Sequence, residues 1–529
     1  MSQMLKSSGA VAAATLLSRI LGLFRDIAYG QLMGVELVAS AFTYAYTIPN
    51  LFRRLLGEGV LTAAFIPHFK EKEKLEGDAA MWKTANAVMS ALVLVSGTVV
   101  LLMMGVASLL IASGWFKVRD TLMLDLLRVM SPYLLMVCIA AVSVGMLNAR
   151  GYFFIPALGS CMLNLAMIGS VVWIAPRMGD TLDKQVFGVA IGVVIAGVAQ
   201  ALFQWPLLRK EGFRWHWINP WKSESVRFIV RKMIPGIIGV AAFQINVLVS
   251  QGLGWIVADH IVSSFGFAVR LMEFPQGLFG VSMATYLLPT LSGLAMEKKF
   301  PEFRTTLRDG LGYVFFGNIL ASVLLIVLAE PIVRLLFERG NFDALGTERV
   351  ANALRFLGPS LIAYSTVNIL ARAFYALGDT KTPTRISLAC LLLNLILTGL
   401  FVWSLEQSGL SLANSITSYA NALLLLFALR KKLAQLGMSA LRKSLIIQGL
   451  GGVGAAAVAW CGLRLWEQQW GHGSFGLRAG AVFAPAVAAG ILYVVVAYLG
   501  KCPYAREIIS TTFSKITRRL PAAKLPDVA

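Results

Sequence analysis

Six arginines lie inside or at the edges of long apolar stretches in a chain of 529 residues. An arginine at the centre of a bilayer costs at least about 2.5–3.5 kcal/mol, so several in membrane-crossing segments require a water-filled cavity or anionic partners. Guanidinium binds phosphate through a bidentate fork, which favours a cationic cavity for an anionic substrate. Pairing with carboxylates, or snorkelling at helix ends, is the structural alternative. The six are Arg19, Arg25, Arg53, Arg54, Arg270 and Arg372.

Carboxylates accompany two of these arginines. Asp26 follows Arg25 directly and can pair locally with Arg25 or with Arg19. Glu273 lies three residues after Arg270, which places both side chains on one helix face, where they can interact. We expect both pairs to reduce the cost of holding a positive charge at membrane depth.

The segment around Arg53 and Arg54 carries residues that disturb a helix. Pro49 precedes the two arginines, and Gly57 and Glu58 follow them. Irregular backbone is tolerated at membrane depth only where it lines a cavity or is buried in protein. The segment is therefore expected to line a cavity or to be buried in protein.

The composition indicates that lipid surrounds much of the chain. It is 57% hydrophobic and only 14% charged, whereas soluble proteins carry roughly 25% charged residues. Its apolar stretches have the length of about 20 residues that crosses the hydrocarbon core as a helix. We predict an all-α polytopic membrane protein with about fourteen spans, at 10–33, 37–66, 84–112, 127–149, 155–175, 186–208, 227–256, 262–294, 311–337, 351–377, 383–404, 409–430, 444–466 and 478–500.

The net charge of +20 is explained better by membrane orientation than by nucleic acid. Lysines and arginines concentrate in the loops after even-numbered predicted spans, as at 70–83, 209–232 and 430–443. Basic loops stay on the cytoplasmic side of an inner membrane. Both termini are therefore predicted to be cytoplasmic, with membrane lipids rather than nucleic acid as partners.

Residue patterns for metal, redox or nucleotide chemistry are not found in the sequence. Five cysteines and four histidines are scattered along the chain, without a CxxC pair or metal-ligand spacing. The sequence has no Walker A motif and no convincing nucleophile–base set. We expect neither a cofactor nor a metal, and a transporter rather than an enzyme.

The two halves of the chain echo each other. Pro132 opens a segment that ends at Gly151, and Pro359 opens one that ends at Gly378. The copies lie about six spans apart, and an even number of spans preserves direction, so the repeat is parallel, an arrangement that usually holds a substrate site between its lobes. The predicted parts are an N-lobe at 1–220, a C-lobe at 221–440, two further spans at 441–500 and a basic cytoplasmic tail at 501–529.

Four motifs carry a resemblance to a known family. They are SRILGLFRD at 18–26, IPNLFRRLLGEG at 48–59, RLMEFPQGLFGV at 270–281 and FYALGDTKTP at 374–383. Together with the span order, they resemble the MurJ (MviN) family of lipid II flippases in the multidrug/oligosaccharidyl-lipid/polysaccharide exporter superfamily. The resemblance implies two six-helix lobes plus two helices. It also implies movement of an undecaprenyl-diphosphate-linked peptidoglycan precursor, lipid II, from the inner to the outer leaflet of a bacterial cytoplasmic membrane.

The resemblance also implies roles for the charged residues. Four arginines match positions that engage the diphosphate-sugar head group, and four neighbours are expected to support them. The binding arginines are Arg19, Arg25, Arg53 and Arg270, and the supporting residues are Asp26, Arg54, Glu58 and Glu273. The last two spans resemble the family's lipid-tail groove.

One position departs from the family pattern. Many members carry an aspartate early in span two, and this chain has Ser40 there. The chain therefore lacks, at that position, a carboxylate for ion coupling or for pairing with arginine. Glu36, Glu58 and Asp26 are the remaining candidates for such a role.

Besides a flippase for another lipid-linked oligosaccharide, three other functions remain open. A cation-coupled drug exporter of the same superfamily would use acidic cavity residues, whereas this chain offers mostly arginine. A membrane glycosyltransferase or polymerase would act on the same lipid. A scaffold of the cell-wall synthesis machinery would bind partners without transport. For a flippase, either a coupling ion or the membrane potential is a suitable source of energy.

Overall fold

The computed structural model describes residues 2–57, 60–433 and 439–510, and its elements in these ranges are helices. A helix satisfies its backbone groups within one segment, as lipid requires. The all-α fold is therefore confirmed. The helices are α1 Ser2–Met33, α2 Leu37–Leu56, α3 Val60–Ala112, α4 Val118–Met130, α5 Tyr133–Ala149, α6 Phe154–Gly169, α7 Leu182–Lys210, α8 Glu224–Val257, α9 Ile261–Pro275, α10 Ser282–Met296, α11 Phe300–Val327, α12 Ala329–Phe337, α13 Ala344–Leu357, α14 Ser360–Ala376, α15 Lys381–Leu433, α16 Ser439–Gln469 and α17 Phe475–Leu499.

Ten stretches of the described residues are long and apolar enough to cross a membrane. Two of these, Leu37–Ala112 and Lys381–Leu433, each cover two predicted spans. The predicted spans at 10–33 and 351–377 are not among the ten. A membrane protein with many crossings is therefore supported, and the number fourteen stays a prediction.

The two longest helices are each interrupted once. Gly77 in α3 has φ +83°, and Glu406 in α15 has φ +50°. These values lie in the left-handed region, which glycine reaches without strain and other residues rarely adopt. Each long helix is therefore two helices joined at a single residue, as the predicted pairs of spans require.

The described chain divides into two compact units. The first contains the residues up to Phe267 together with Phe337–Thr347, and the second contains Ala268–Leu336 and the described residues from Glu348 onward. The first unit includes α8, which packs against α2 and α3. The lobe boundaries predicted at 220 and 440 stay predictions, as does the groove at 441–500. Of the tail predicted at 501–529, only residues to 510 are described.

Each unit contains one copy of the repeated segment. In the first unit α5 has 17 residues and follows Pro132, whose φ and ψ are −60° and −21°. In the second unit α14 also has 17 residues and follows Pro359, with φ −58° and ψ −32°. The fixed φ of proline suits the start of a helix. The two halves therefore share helix length and helix start at the positions that the sequence repeat marks.

The two repeated helices also end in the same turn. The backbone N–H of Tyr152 donates to the carbonyl of Leu147 at 2.9 Å, and that of Asp379 donates to Phe374 at 2.9 Å. Before each donor stands a glycine with positive φ, +88° at Gly151 and +73° at Gly378. This is the helix ending that a left-handed glycine permits. The sequence repeat between the halves therefore corresponds to a repeat of backbone geometry.

Candidate functional site

Arg25 lies on α1 and is held by two side chains of the first unit. Its Nη2 and Nε donate to Oδ1 of Asp26 at 2.7 and 3.0 Å, and its Nη1 donates to Oδ1 of Asn164 at 2.9 Å. The side chains of Arg25 and Asp26 are only 15% and 14% exposed. Partial burial strengthens such a charge pair relative to one in water.

The remaining hydrogen-bonding capacity of Arg25 suits an anion. A guanidinium group carries five N–H donors. Within the described part of the chain, its bonds leave one N–H on each terminal nitrogen. Two such N–H groups form the fork that matches a pair of phosphate oxygens. Arg25 therefore keeps one N–H donor on each terminal nitrogen while it stays bonded to Asp26 and Asn164.

Asn164 is a site residue that the sequence reasoning missed. It lies on α6, is 5% exposed, and its Nδ2 donates to the backbone carbonyl of Ser18 at 3.0 Å. An asparagine inside an apolar span was a usable signal, because a buried amide needs hydrogen-bond partners. The identity of the partner was not readable, since Arg25 is 139 residues away in sequence.

A row of aromatic rings lies beside Arg25. Phe42 packs edge-on against Tyr29, with ring centroids 5.4 Å apart, and stacks on Tyr46 at 6.2 Å. The ring of Tyr46 lies 5.8 Å from that of Tyr133. Aromatic pairs in these geometries stabilise a fold beyond their buried area. The row therefore fixes α1, α2 and α5 relative to one another.

Arg53 lies on α2, the helix that carries Phe42 and Tyr46 of this row. Its Nε donates to Oδ1 of Asn50 at 2.6 Å. Arg53 and Arg25 both act electrostatically on the buried Tyr133. The structure therefore brings the arginines of α1 and α2 into one neighbourhood of the first unit.

Three of the six arginines have other surroundings. Arg19 is exposed on α1, and within the described residues its side chain makes no hydrogen bond or ion pair. Arg54 is partly buried and interacts with a neighbouring group. Arg372 lies over the ring of Tyr375, with its guanidinium carbon 6.0 Å from the centroid, a cation–π contact. Of these three, Arg19 has the side chain most open to a ligand.

Arg270 and Glu273 meet on one face of α9 in the second unit. Nη1 of Arg270 lies 3.2 Å from Oε2 of Glu273, and both side chains are 50% exposed. After Pro275 the helix widens into a π-helical segment at Gln276–Val281. Widened turns of this kind are frequent at functional sites. The predicted contact between Arg270 and Glu273 is present, and its role in substrate binding stays a prediction.

Two residues near α2 bear on the question of a carboxylate: the candidate Glu58, and Ser40 at the position expected to hold an aspartate. Glu58 lies outside the described residues. Ser40 is fully buried, its Oγ donates to Oγ of Ser263 at 2.9 Å, and it accepts the N–H of Ser263 at 3.1 Å. Oγ of Ser263 also donates to the carbonyl of Val35. A neutral hydroxyl network therefore surrounds Ser40, at the position where the family resemblance leads us to expect an aspartate.

The sequence comparisons decide the family. The chain matches the family model described as "Lipid II flippase MurJ" over residues 29–479. It is 33% identical over 440 residues to the probable lipid II flippase MurJ of Vibrio cholerae serotype O1, covering 80% of this chain and 82% of that protein. The chain belongs to the MurJ family. A MurJ protein of Bdellovibrio bacteriovorus is likewise 33% identical over 512 residues, covering 94% of this chain and 95% of the relative.

The MurJ fold is also found among solved structures. A "Lipid II flippase MurJ, inward closed conformation" superposes with a TM-score of 0.76 at 23% identity and covers 94% of this chain and 99% of that chain. An inward-facing MATE multidrug transporter of the MOP superfamily matches with a TM-score of 0.67 at 15% identity, covering 81% and 98%. At these identities the likeness concerns the fold alone. This member of the MurJ family is therefore a multi-pass membrane protein with the helical fold of the superfamily.

Proposed function

We propose that this protein is a flippase that moves lipid II from the inner to the outer leaflet of the bacterial cytoplasmic membrane. The observation that carries the proposal is the arginine pair of the first unit. Arg25 is anchored by Asp26 and Asn164, and Arg53 is held by Asn50 on α2, the helix that carries two rings of the aromatic row. Family membership supplies the substrate class, because the curated relatives carry the name lipid II flippase.

The mechanism that we propose is alternating access. The diphosphate-sugar head group travels through a cavity that contains the arginines, while the prenyl tail stays in lipid along the groove predicted at 441–500. Arg19, Arg25, Arg53 and Arg270 bind the head group, because fixed guanidinium groups replace the water that a diphosphate loses. Binding in each orientation lets the lobes expose the cavity to one side at a time.

The membrane potential is a sufficient source of energy for this step. A potential of 100 mV is worth about 2.3 kcal/mol for each elementary charge that crosses the membrane. With the inside negative, the potential favours export of a net-negative lipid. A coupling ion is the alternative, and Ser40 makes the usual aspartate position an unsuitable place for it. The protein orientation that we propose has both termini in the cytoplasm.

Reconstituted transport tests the proposal. We expect Arg25→Ala, Arg53→Ala and Arg270→Ala each to reduce lipid II flipping in proteoliposomes by about tenfold or more, because bonds from charged groups contribute about 1.5–3 kcal/mol. The matched control is Arg128→Ala, since Arg128 pairs with Asp125 at 2.9 Å and is 43% exposed, where a salt bridge contributes little. Undiminished flipping in all three variants at normal protein levels would overturn the proposal.

Two further assays separate the rival functions. A drug exporter would extrude a cationic dye from the same proteoliposomes. A glycosyltransferase or polymerase would transfer labelled sugar from lipid II into polymer. We expect neither signal, whereas labelled lipid II becomes accessible at the opposite face of the vesicle.

A further inference from the structure

We propose that Asn164 is a positioning residue that holds the guanidinium group of Arg25 in its phosphate-binding orientation. The proposal rests on the proposed function in taking a diphosphate lipid as the ligand. The buried side-chain amide of Asn164 makes two hydrogen bonds. Neither the charge pattern nor the four sequence motifs marks Asn164.

Asn164 joins two helices of the first unit. Its Oδ1 accepts Nη1 of Arg25 at 2.9 Å, and its Nδ2 donates to the carbonyl of Ser18 at 3.0 Å. Both partners lie on α1, and Asn164 lies on α6. With only 5% of Asn164 exposed, water cannot readily replace either bond. The amide therefore fixes one side of the guanidinium group to the backbone one to two turns earlier in the same helix.

The side chain at position 164 is an amide rather than a carboxylate. A carboxylamide accepts through oxygen and donates through nitrogen, whereas an ionised carboxylate can only accept. Asp26 already supplies one negative charge to Arg25 at 2.7 Å. A second carboxylate would make the group of three side chains net negative and would repel a diphosphate. Asn164 therefore orients Arg25 without adding a second negative charge beside the ligand.

The two partners of Arg25 determine how its remaining N–H groups are presented to the ligand. Asp26 takes the side of the guanidinium formed by Nε and Nη2, and Asn164 takes one N–H of Nη1. With Asp26 alone, the terminal nitrogens would be held on one side only. With Asn164 present, both terminal nitrogens are tied to protein side chains and the plane of the guanidinium group is fixed. A prearranged fork avoids the ordering cost that binding otherwise carries.

A double-mutant cycle tests the proposal with undecaprenyl diphosphate as the probe and undecaprenol as the phosphate-free reference. We expect Asn164→Ala to weaken diphosphate binding by about tenfold in the native background and by less than about twofold in an Arg25→Ala background, since coupled residues are not additive. We expect Asn164→Asp, although similar in shape, to lose more than Asn164→Ala. Undecaprenol binding should not change.

The matched control is Asn86→Ala. Asn86 is also fully buried in the first unit, and its side chain bonds to Trp82, Arg214 and His216 rather than to an arginine side chain. We expect it to lower the melting temperature without changing diphosphate affinity. If Asn164→Ala does not fold, Asn164→Asp carries the test, because its volume is nearly unchanged.

Two results would overturn the positioning role. One is an equal loss from Asn164→Ala with and without Arg25. The other is a milder effect of Asn164→Asp than of Asn164→Ala, which is what a purely packing role produces. Failure of the flippase proposal looks different: Arg25→Ala then leaves lipid II transport unchanged, while the binding cycle still reports whether Asn164 acts through Arg25.

Discussion

Asp379 stabilises the start of α15 through three hydrogen bonds. Nζ of Lys432 donates to its Oδ2 at 2.7 Å, and the N–H and hydroxyl of Thr382 donate at 3.0 and 2.8 Å. These contacts, with the Lys432 bond first, lower the pKa of the carboxyl group from 3.8 to about 2. The carboxylate therefore ties the first turn of α15 to its last turn.

The lowered pKa gives a pH-dependent prediction. The folded pKa lies below the unfolded one, so the stabilisation is complete above about pH 4 and is lost as the pH falls toward about 2. We expect Asp379→Asn to lower the free energy of unfolding by about 1 kcal/mol at neutral pH and to match the native protein near about pH 2. Denaturant unfolding in detergent micelles at several pH values measures the difference.

The control for this prediction is Asp309→Asn. Asp309 is 44% exposed and contacts only Nε of its neighbour Arg308, at 3.3 Å, among the described ion pairs. Its replacement should have little effect at any pH, since exposed pairs contribute little. A difference for Asp379→Asn that does not vary with pH would contradict the pKa assignment.

The sequence predicted local contacts of the site and not distant ones. The contacts of Arg25 with Asp26 and of Arg270 with Glu273 follow from adjacency and helical spacing. The bond from Arg25 to Asn164 joins α1 to α6, and helix periodicity contains no information on which helices are neighbours. The Ser40 hydroxyl network likewise needs Ser263, a residue of α9.

At the scale of elements, apolar periodicity predicted the helices and missed their continuation outside lipid. The span predicted at 37–66 is followed by helix up to the interruption at Gly77. Lys70 pairs with Glu73 at 2.7 Å, three residues further along the helix. Lys72 pairs with Glu76, four residues further along. Such pairs at a spacing of three or four residues stabilise an exposed helix. The π-helical segments were not predictable, because an inserted residue leaves no periodic signal.

Glycines allow two pieces of backbone to touch within the first unit. The N–H of Asn341 donates to the carbonyl of Gln31 at 2.9 Å, which joins the segment Phe337–Thr347 to α1. A Cβ atom on Gly340 would lie 2.4 Å from the Gln31 carbonyl oxygen, and one on Gly34 would lie 2.5 Å from that of Asn341. Both glycines have positive φ, +61° and +63°. Neither site accommodates a side chain.

A glycine pair separates strain from steric contact. Gly378 has φ +73° with nothing within 4 Å of an added Cβ, whereas Gly340 has both a positive φ and the close carbonyl. We expect Gly378→Ala to cost about 1–2 kcal/mol of unfolding free energy from strain. Gly340→Ala should cost about 1–3 kcal/mol more because backbone must shift. Denaturant unfolding in detergent measures both losses of free energy. Equal losses would mean that the backbone around Gly340 shifts at no cost in free energy.

For the whole molecule, the distribution of charge determines orientation. The chain carries 47 lysines and arginines against 27 acidic residues. A membrane protein with basic residues gathered in alternate loops has those loops in the cytoplasm. Composition predicted the class of fold, and the distribution of basic residues predicts sidedness. Both predictions follow from the cost of placing charge in lipid. Which residues belong to each compact unit depends on packing, which composition does not describe.

Cysteine accessibility tests the orientation with two matched positions. Asp183 lies in the first turn of α7 and Glu224 in the first turn of α8, and both are exposed. In a background where the one exposed cysteine of the described residues, Cys461, is replaced by serine, we expect a membrane-impermeant thiol reagent to label Asp183→Cys in spheroplasts and to spare Glu224→Cys. Permeabilised cells should label both, which shows that each thiol is reactive. Labelling of Glu224→Cys alone would invert the predicted topology, whereas the electrical argument for export would stand, because the inside-negative potential acts on the charge of the lipid whatever the orientation of the protein.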